Sequence, residues 1–197
     1  MKLYDITQEV FSGAVYPGDP APSYERVLSI AQGEICNLTA FTMCAHNATH
    51  IDAPYHFFDK GRTIEQIELF RCVGPCTVIE LSKEYTREEL LPILEKSQKR
   101  LLIKGESAVT PELARLFHEH QILLVGVEPQ SVSSTDPVPV HHELLGKEVV
   151  LLEGLVLKEV ELGDYFLCAA PLKLGGSDGA PCRAFLIDFG AGEECLC

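Results

Sequence analysis

The chain has 197 residues, 46% hydrophobic and 23% charged, the composition of a globular protein long enough for one domain with a sizeable core. Its formal net charge of -13 argues against a nucleic-acid partner, because phosphate binding needs clustered Lys and Arg. No apolar run of about eighteen residues offers a membrane span. Asp5 stands where a signal peptide needs its apolar stretch, so a cytoplasmic location is expected.

In chain order, the first patterned stretch is His46–Phe58, which is dense in imidazole. Short apolar runs that read as buried strands follow at Cys76–Leu81, Leu101–Lys104 and Ile122–Val127. Between them lie two helices with start signals. Thr86-Arg87-Glu88-Glu89 is a capping box opening Glu88–Lys96. Thr110-Pro111-Glu112 supplies an N-cap, a proline at the first helical position and an acid near the dipole's positive end, before Leu113–His120. Ser131–Pro139, rich in Ser and Pro, reads as an ordered loop, and His141–Leu145 as a short helical turn. Further strands are expected at Val149–Leu155, Phe166–Ala170 and Ala184–Phe189. Strand–helix alternation over 76–127 implies an α/β fold. The additional strands imply a mixed sheet or barrel-like core with flanking helices, in a single domain over 1–197.

Eight cysteines, at positions 36, 44, 72, 76, 168, 182, 195 and 197, contain no two C-x-x-C pairs. They read as free thiols rather than a structural zinc site.

Chemistry concentrates in His46-Asn47-Ala48-Thr49-His50-Ile51-Asp52-Ala53-Pro54-Tyr55-His56. Neutral imidazole and carboxylate are ordinary ligands of a catalytic divalent metal. A helix is disfavoured by the β-branched Thr49 and Ile51 and by Pro54. In an extended segment the even positions 46, 50, 52 and 56 point one way. His50 and Asp52 would then stand about 6.6 Å apart, and His46 and His50 about 13 Å apart. One metal cannot span the longer distance, so the chain must bend, most simply at Asn47-Ala48. His46, His50 and Asp52 would suffice for one ion. A second ion needs a bridging carboxylate and another ligand, for which Glu153 and either His141 or His142 are the candidates. Glu153 ends an apolar run, and a buried carboxylate needs a partner.

The run H-x-x-x-H-x-D-A-P-x-H-F, followed by Asp59-Lys60-Gly61-Arg62-Thr63-Ile64-Glu65, closely resembles the cyclase family of metal-dependent hydrolases. That family includes bacterial kynurenine formamidases and isatin hydrolases. Weaker matches occur in the right order: Tyr4-Asp5-Ile6-Thr7, Tyr16-Pro17-Gly18-Asp19, Val125–Ser131, His141–Gly146 and Leu152–Leu155. The resemblance implies that His46, His50 and Asp52 bind one ion and that Asp52 bridges to a second, held also by His141 and Glu153. It implies two divalent ions, Zn or Mn, and His56 as catalytic acid/base. It also implies a swivelling β/β/α fold, a homodimer or homotetramer, and hydrolysis of an amide, formamide or cyclic amide as the reaction. Tyr16, Phe57 and Phe58 would shape the substrate pocket. Two positions depart from the family pattern: Ala48 replaces a common Gly, and Tyr16 replaces the Trp that lines the pocket of kynurenine formamidases. A non-catalytic metal- or ligand-binding protein of the same fold is the alternative.

Overall fold

The computed structural model describes residues 1–81, 85–106, 109–133, 135 and 137–190. At its centre β5 (Val73–Glu80), β6 (Arg100–Lys104), β7 (Leu124–Val127) and β8 (Val150–Glu153) run parallel, each beside the next. β7 and β8 are buried at every position, which is why their sequences read as apolar runs rather than as alternation. The crossovers carry α2 (Arg87–Lys96), α3 (Pro111–Glu119) and α4 (Pro137–Leu145). α2 begins where Thr86 and Glu89 cap each other, the Glu89 carboxylate accepting the Thr86 N–H at 2.9 Å and the Thr86 hydroxyl accepting the Glu89 N–H at 3.3 Å. In α3 the hydroxyl of Thr110 accepts the Leu113 N–H at 3.2 Å. Both helix starts lie at the expected capping motifs. α4 differs from expectation, because it absorbs the end of the Ser131–Pro139 loop. Its Pro137 and Pro139 fall in the first turn, where N–H groups have no intrahelical acceptor to lose.

Antiparallel strands flank this parallel centre. On one side β9 (Gly163–Cys168) pairs with β5, β11 (Phe185–Asp188) with β9, and β1 (Lys2–Asp5) with β11. On the other, β4 (His50–Asp52) pairs with β8, and β10 (Gly179–Pro181) closes the edge. A short helix, α1 (Leu69–Cys72), leads into β5. Among the described residues the mixed α/β sheet thus has nine strands. Laid flat it would be roughly 38 Å wide. Yet Ala180 of the last strand and Leu186 near the first belong to one apolar cluster with Ile6, Ile51, Leu102, Leu152 and Leu167. The sheet is strongly curled, forming a half-barrel. The opposite face is covered by the helices, with Phe117 fully buried among Leu101, Ile103, Val125, Leu144 and Leu151. Burying that one ring contributes about 1.5–3 kcal/mol.

A separate hairpin, β2 (Ser23–Leu28) with β3 (Leu38–Thr42), stands off the main sheet. Nearly all of its strand residues are exposed, Tyr24, Val27, Leu38 and Phe41 among them.

Candidate metal centre

The histidine-rich segment is extended over only the three residues of β4. The chain does bend before it. Ala48 adopts φ 57°, so the left-handed residue is the alanine and not the more tolerant Asn47 beside it. Asn47 instead closes the turn, its side-chain oxygen accepting the Cys44 N–H at 2.8 Å. After β4, Pro54–His56 forms a 3-10 turn. His56 therefore leaves the extended register and reaches the site by that turn.

Strand register assembles the rest. His50 of β4 lies directly opposite Glu153 of β8, and Asp52, two residues on, shares the His50 face. α4 brings His141 onto the same carboxylates. His50, Asp52, His141 and Glu153 are all buried. His50 Nε2 stands 3.4 Å from Asp52 Oδ1 and 3.4 Å from Glu153 Oε2. His141 Nε2 stands 3.6 Å from Asp52 Oδ2 and 3.5 Å from Glu153 Oε1. These four separations are longer than good hydrogen bonds. They are close to the roughly 3.3–3.4 Å between two donors on one tetrahedral ion with bonds of about 2.0–2.1 Å. Each carboxylate offers one oxygen to each histidine, so Glu153 faces His50 as well as His141.

The remaining ring nitrogens are already occupied. His50 Nδ1 bonds to the Ala48 carbonyl oxygen at 3.0 Å, and His141 Nδ1 to that of Pro137 at 2.6 Å. Donation to a carbonyl fixes the tautomer and leaves Nε2 as the free lone pair, the usual support of a metal-bound imidazole. Asp52 Oδ2 is a buried oxygen with no hydrogen-bond partner among the described residues. These residues fit a divalent cation: neutral nitrogens, carboxylate oxygens and one orphaned buried oxygen converge at ligand spacing.

His46 is placed differently. Its Nδ1 is 2.8 Å from Asp52 Oδ1 and its Nε2 is 2.9 Å from Asp178 Oδ2. Both nitrogens face carboxylates at hydrogen-bond distance, which makes this ring an imidazolium. His56 stacks on it at 4.1 Å and points Nδ1 at the same Asp178 oxygen, 3.2 Å away.

Electrostatics follow from this crowding. Burial opposes the charge on His46, but hydrogen bonds to Asp178 and Asp52 overcome it and raise its pKa to about 9. Burial likewise opposes charge on His50 and His141, and the facing Asp52 and Glu153 carboxylates raise each to about 10. Burial favours a neutral Asp52, yet the His141, His46 and His50 rings hold its carboxyl well below the usual range. Without a cation the site holds protons where the cation would be, so metal and protons compete for the same lone pairs.

A cavity of about 230 Å³ opens over these groups, its wall including Tyr16, Asp19, Phe57, Gln130 and Val138. Phe57 stacks on His141 at 4.5 Å. Phe58 faces away, into a hollow with Asp59, Lys60 and Arg62, and packs on His142. Of the three expected pocket residues the structure brings Tyr16 and Phe57 to this cavity, not Phe58. His142 abuts the two phenylalanines and is no neighbour of the carboxylates, which separates it from His141 as the sequence pattern could not.

Two glycines make room. Gly154 has φ 72°, and a Cβ there would stand 2.3 Å from the Ala48 carbonyl oxygen. At Gly179 a Cβ would meet His46 Cε1 at 2.7 Å. Sequence reasoning missed Asp178 altogether. An Asp inside Gly175-Gly176-Ser177-Asp178-Gly179 reads as turn chemistry, and nothing local distinguishes it from one.

Comparison with known proteins places this geometry in context. Residues 4–134 match the Cyclase family model. The chain is 36% identical over 192 residues to the kynurenine formamidase of Geobacillus thermodenitrificans, covering 89% of this chain and 92% of that protein. It is 33% identical over 202 residues to that of Bacillus anthracis, covering 94% and 97%. Among solved structures, a potential metal-dependent hydrolase with cyclase activity superposes with a TM-score of 0.78 at 31% identity, covering 94% of this chain and 96% of that one. Isatin hydrolase A from Labrenzia aggregata shares the fold with a TM-score of 0.80 at 23% identity, covering 94% and 93%.

Proposed function

Since the chain belongs to the cyclase family, we propose that it is a metal-dependent hydrolase that opens the C–N bond of an amide, formamide or cyclic amide. The observation that carries this reading is the set of four imidazole–carboxylate separations of 3.4–3.6 Å around Asp52 and Glu153. His50, Asp52, His141 and Glu153, with His46 once it gives up a ring proton, would hold two divalent ions, Zn or Mn, with Asp52 between them. When bound, such ions lower the pKa of water and polarise a carbonyl. His56 lies at the cavity wall beside this set, placed to move a proton between the attacking water and the leaving nitrogen. Tyr16 and Phe57 line the cavity with aromatic surface, suited to an aromatic or flat substrate. Kynurenine formamidases are among the relatives, so an aryl formamide is the first substrate to test.

The reading extends to assembly and location. The whole chain acts as one domain. It pairs as a homodimer or homotetramer, supported by a hairpin with apolar residues open on its strands. Two-stranded hairpins are marginal in water without a covering surface. A cytoplasmic site of action, with neither nucleic acid nor membrane as partner, accords with the acidic composition. No helix of the described residues is long and apolar enough to cross a membrane.

The test is a hydrolysis screen of purified protein over N-formylkynurenine, isatin and simple cyclic amides, with metal analysis, with and without chelator. Chelator-sensitive turnover of one class is expected. A protein that holds metal and hydrolyses none would instead be the non-catalytic binding member of the fold.

A further inference from the structure

Asp178 stands outside the ligand set just assigned, yet it touches two of the site's imidazoles. Its backbone is fixed to the segment that carries His56. The Asp178 carbonyl accepts the Ala53 N–H at 2.9 Å, and the neighbouring Ser177 carbonyl accepts the Ile64 N–H at 2.9 Å. Residues 53 and 64 bracket the 3-10 turn of His56, so carboxylate and imidazole are held by one local framework. Among the described residues the ion-pair partners of Asp178 are His46 and His56 alone, both at its Oδ2. No Lys or Arg neutralises it there. The His56 Nε2 has no hydrogen bond to the described residues, and the ring lines the cavity.

We propose that Asp178 is the positioning residue of His56: by accepting the Nδ1–H it fixes the ring and the tautomer, leaving Nε2 as the nitrogen that exchanges protons with the substrate. The chemistry rests on the hydrolase reading above; the positioning does not. A proton taken from the attacking water at Nε2 produces an imidazolium held against the Asp178 carboxylate. The same proton leaves from Nε2 to the departing nitrogen, and the ring returns to its starting tautomer. An imidazole with no such acceptor divides between two tautomers and can turn, so only part of the population is competent.

The test uses the zinc-loaded full chain and four variants: Asp178→Ala, Asp178→Asn, His56→Ala and the double His56→Ala/Asp178→Ala. Asp178→Ala should lower kcat about 100-fold. It should leave KM within about threefold and zinc content unchanged, because the lost effect is on the chemical step. Asp178→Asn, which keeps an acceptor oxygen, should fall between it and wild type. The double variant should be no slower than His56→Ala alone, since residues that act as a unit are not additive. Unchanged kcat in Asp178→Ala, loss of zinc from it, or a double variant slower by the full single-variant factor would each overturn the proposal. The second of these would mean that Asp178 acts through His46. A readout independent of turnover is the long-range nitrogen–proton spectrum of His56, expected to show the Nδ1–H tautomer in wild type and a mixture in Asp178→Ala. Should the wild type hydrolyse nothing, the hydrolase reading fails while this spectrum still decides the positioning role. An unaltered tautomer in the variant would refute it.

Discussion

Replacing Glu153 with alanine is the sharpest probe of the site. Its Oε1 accepts the Val132 N–H at 2.6 Å, and Val132 is buried. Its two oxygens also face His50 and His141, which burial alone would keep neutral but which their carboxylate neighbours hold protonated to about pH 10. The alanine variant strands a buried amide, worth about 1.5–3 kcal/mol for a charge-assisted bond. It also removes a counter-charge from two buried imidazoliums, and breaking a buried pair costs about 3–5 kcal/mol. The two losses share one side chain and do not add, so the whole effect should be about 3–5 kcal/mol. For a chain of this length each kcal/mol moves Tm by roughly 2–4 °C, giving a fall of roughly 6–20 °C. The assay is thermal unfolding of chelator-stripped protein at neutral pH, paired with metal analysis after reloading. Glu153→Gln keeps an oxygen for Val132 and loses the charge, so its fall should be roughly half as large. A shift under about 2 °C in the alanine variant would refute the buried ion-pair reasoning. Retention of two ions per chain would refute the ligand assignment.

Three further outcomes follow from the same geometry. His46, His50 and His141 have folded-state pKa values raised to about 9, 10 and 10, so their contribution to the metal-free protein is complete below about pH 6.5 and lost as pH rises through 9–10. The Tm of stripped protein should therefore fall across that window and that of metal-loaded protein much less; equal profiles would count against metal and protons sharing these nitrogens. Gly179→Ala would press a Cβ to 2.7 Å from His46 Cε1 and 2.8 Å from the Ile51 carbonyl oxygen, costing about 1–3 kcal/mol and weakening metal uptake. Gly175→Ala, with nothing within 4 Å, should stay within about 0.5 kcal/mol of wild type; denaturant titration distinguishes the two. Burial pushes the thiols of Cys72, Cys76 and Cys182 up to about 12, so a thiol reagent at about pH 8 should label exposed Cys36 quickly and these three only after unfolding.

How much of this was legible depended on the physical signal each part carries. β6 to β8 were readable because burial on both faces leaves a short apolar run, whereas β5, which alternates in burial, was legible only over its second half. α2 and α3 were readable because Thr86 and Thr110 cap them by local hydrogen bonds. β4 and the edge strand β10 are three residues each, too short for any periodicity to show. β2 and β3 mix Tyr, Glu, Arg and Thr with no buried face to impose alternation. At the site, the density of imidazole in 46–56 and the need for a bend were visible. The bend lies at the expected Asn47-Ala48, but which of the two is left-handed was not legible: it is the alanine, where intrinsic preference favours asparagine. Glu153 was undecided because its burial comes from the cross-strand partner His50, a fact of register. Asp178 was invisible for a similar reason, since its partners lie more than a hundred residues earlier in the chain and only the β4–β10 pairing brings it to them.

The pairing of β4 with β8 joins just three residue pairs, near the open edge of the sheet. Side chains alternate faces along a strand, so a slip of one residue would turn Glu153 to the opposite face and leave His50 opposite an aliphatic neighbour. The proposed ligand set thus exists in one register only, and a cation bound there would stabilise that register over every other by mass action. Metal occupancy and edge-strand alignment become a single equilibrium. An ion lost from this protein is also a staple withdrawn from the sheet margin, and the first backbone amides to exchange with solvent should be those of residues 50–53 and 179–181.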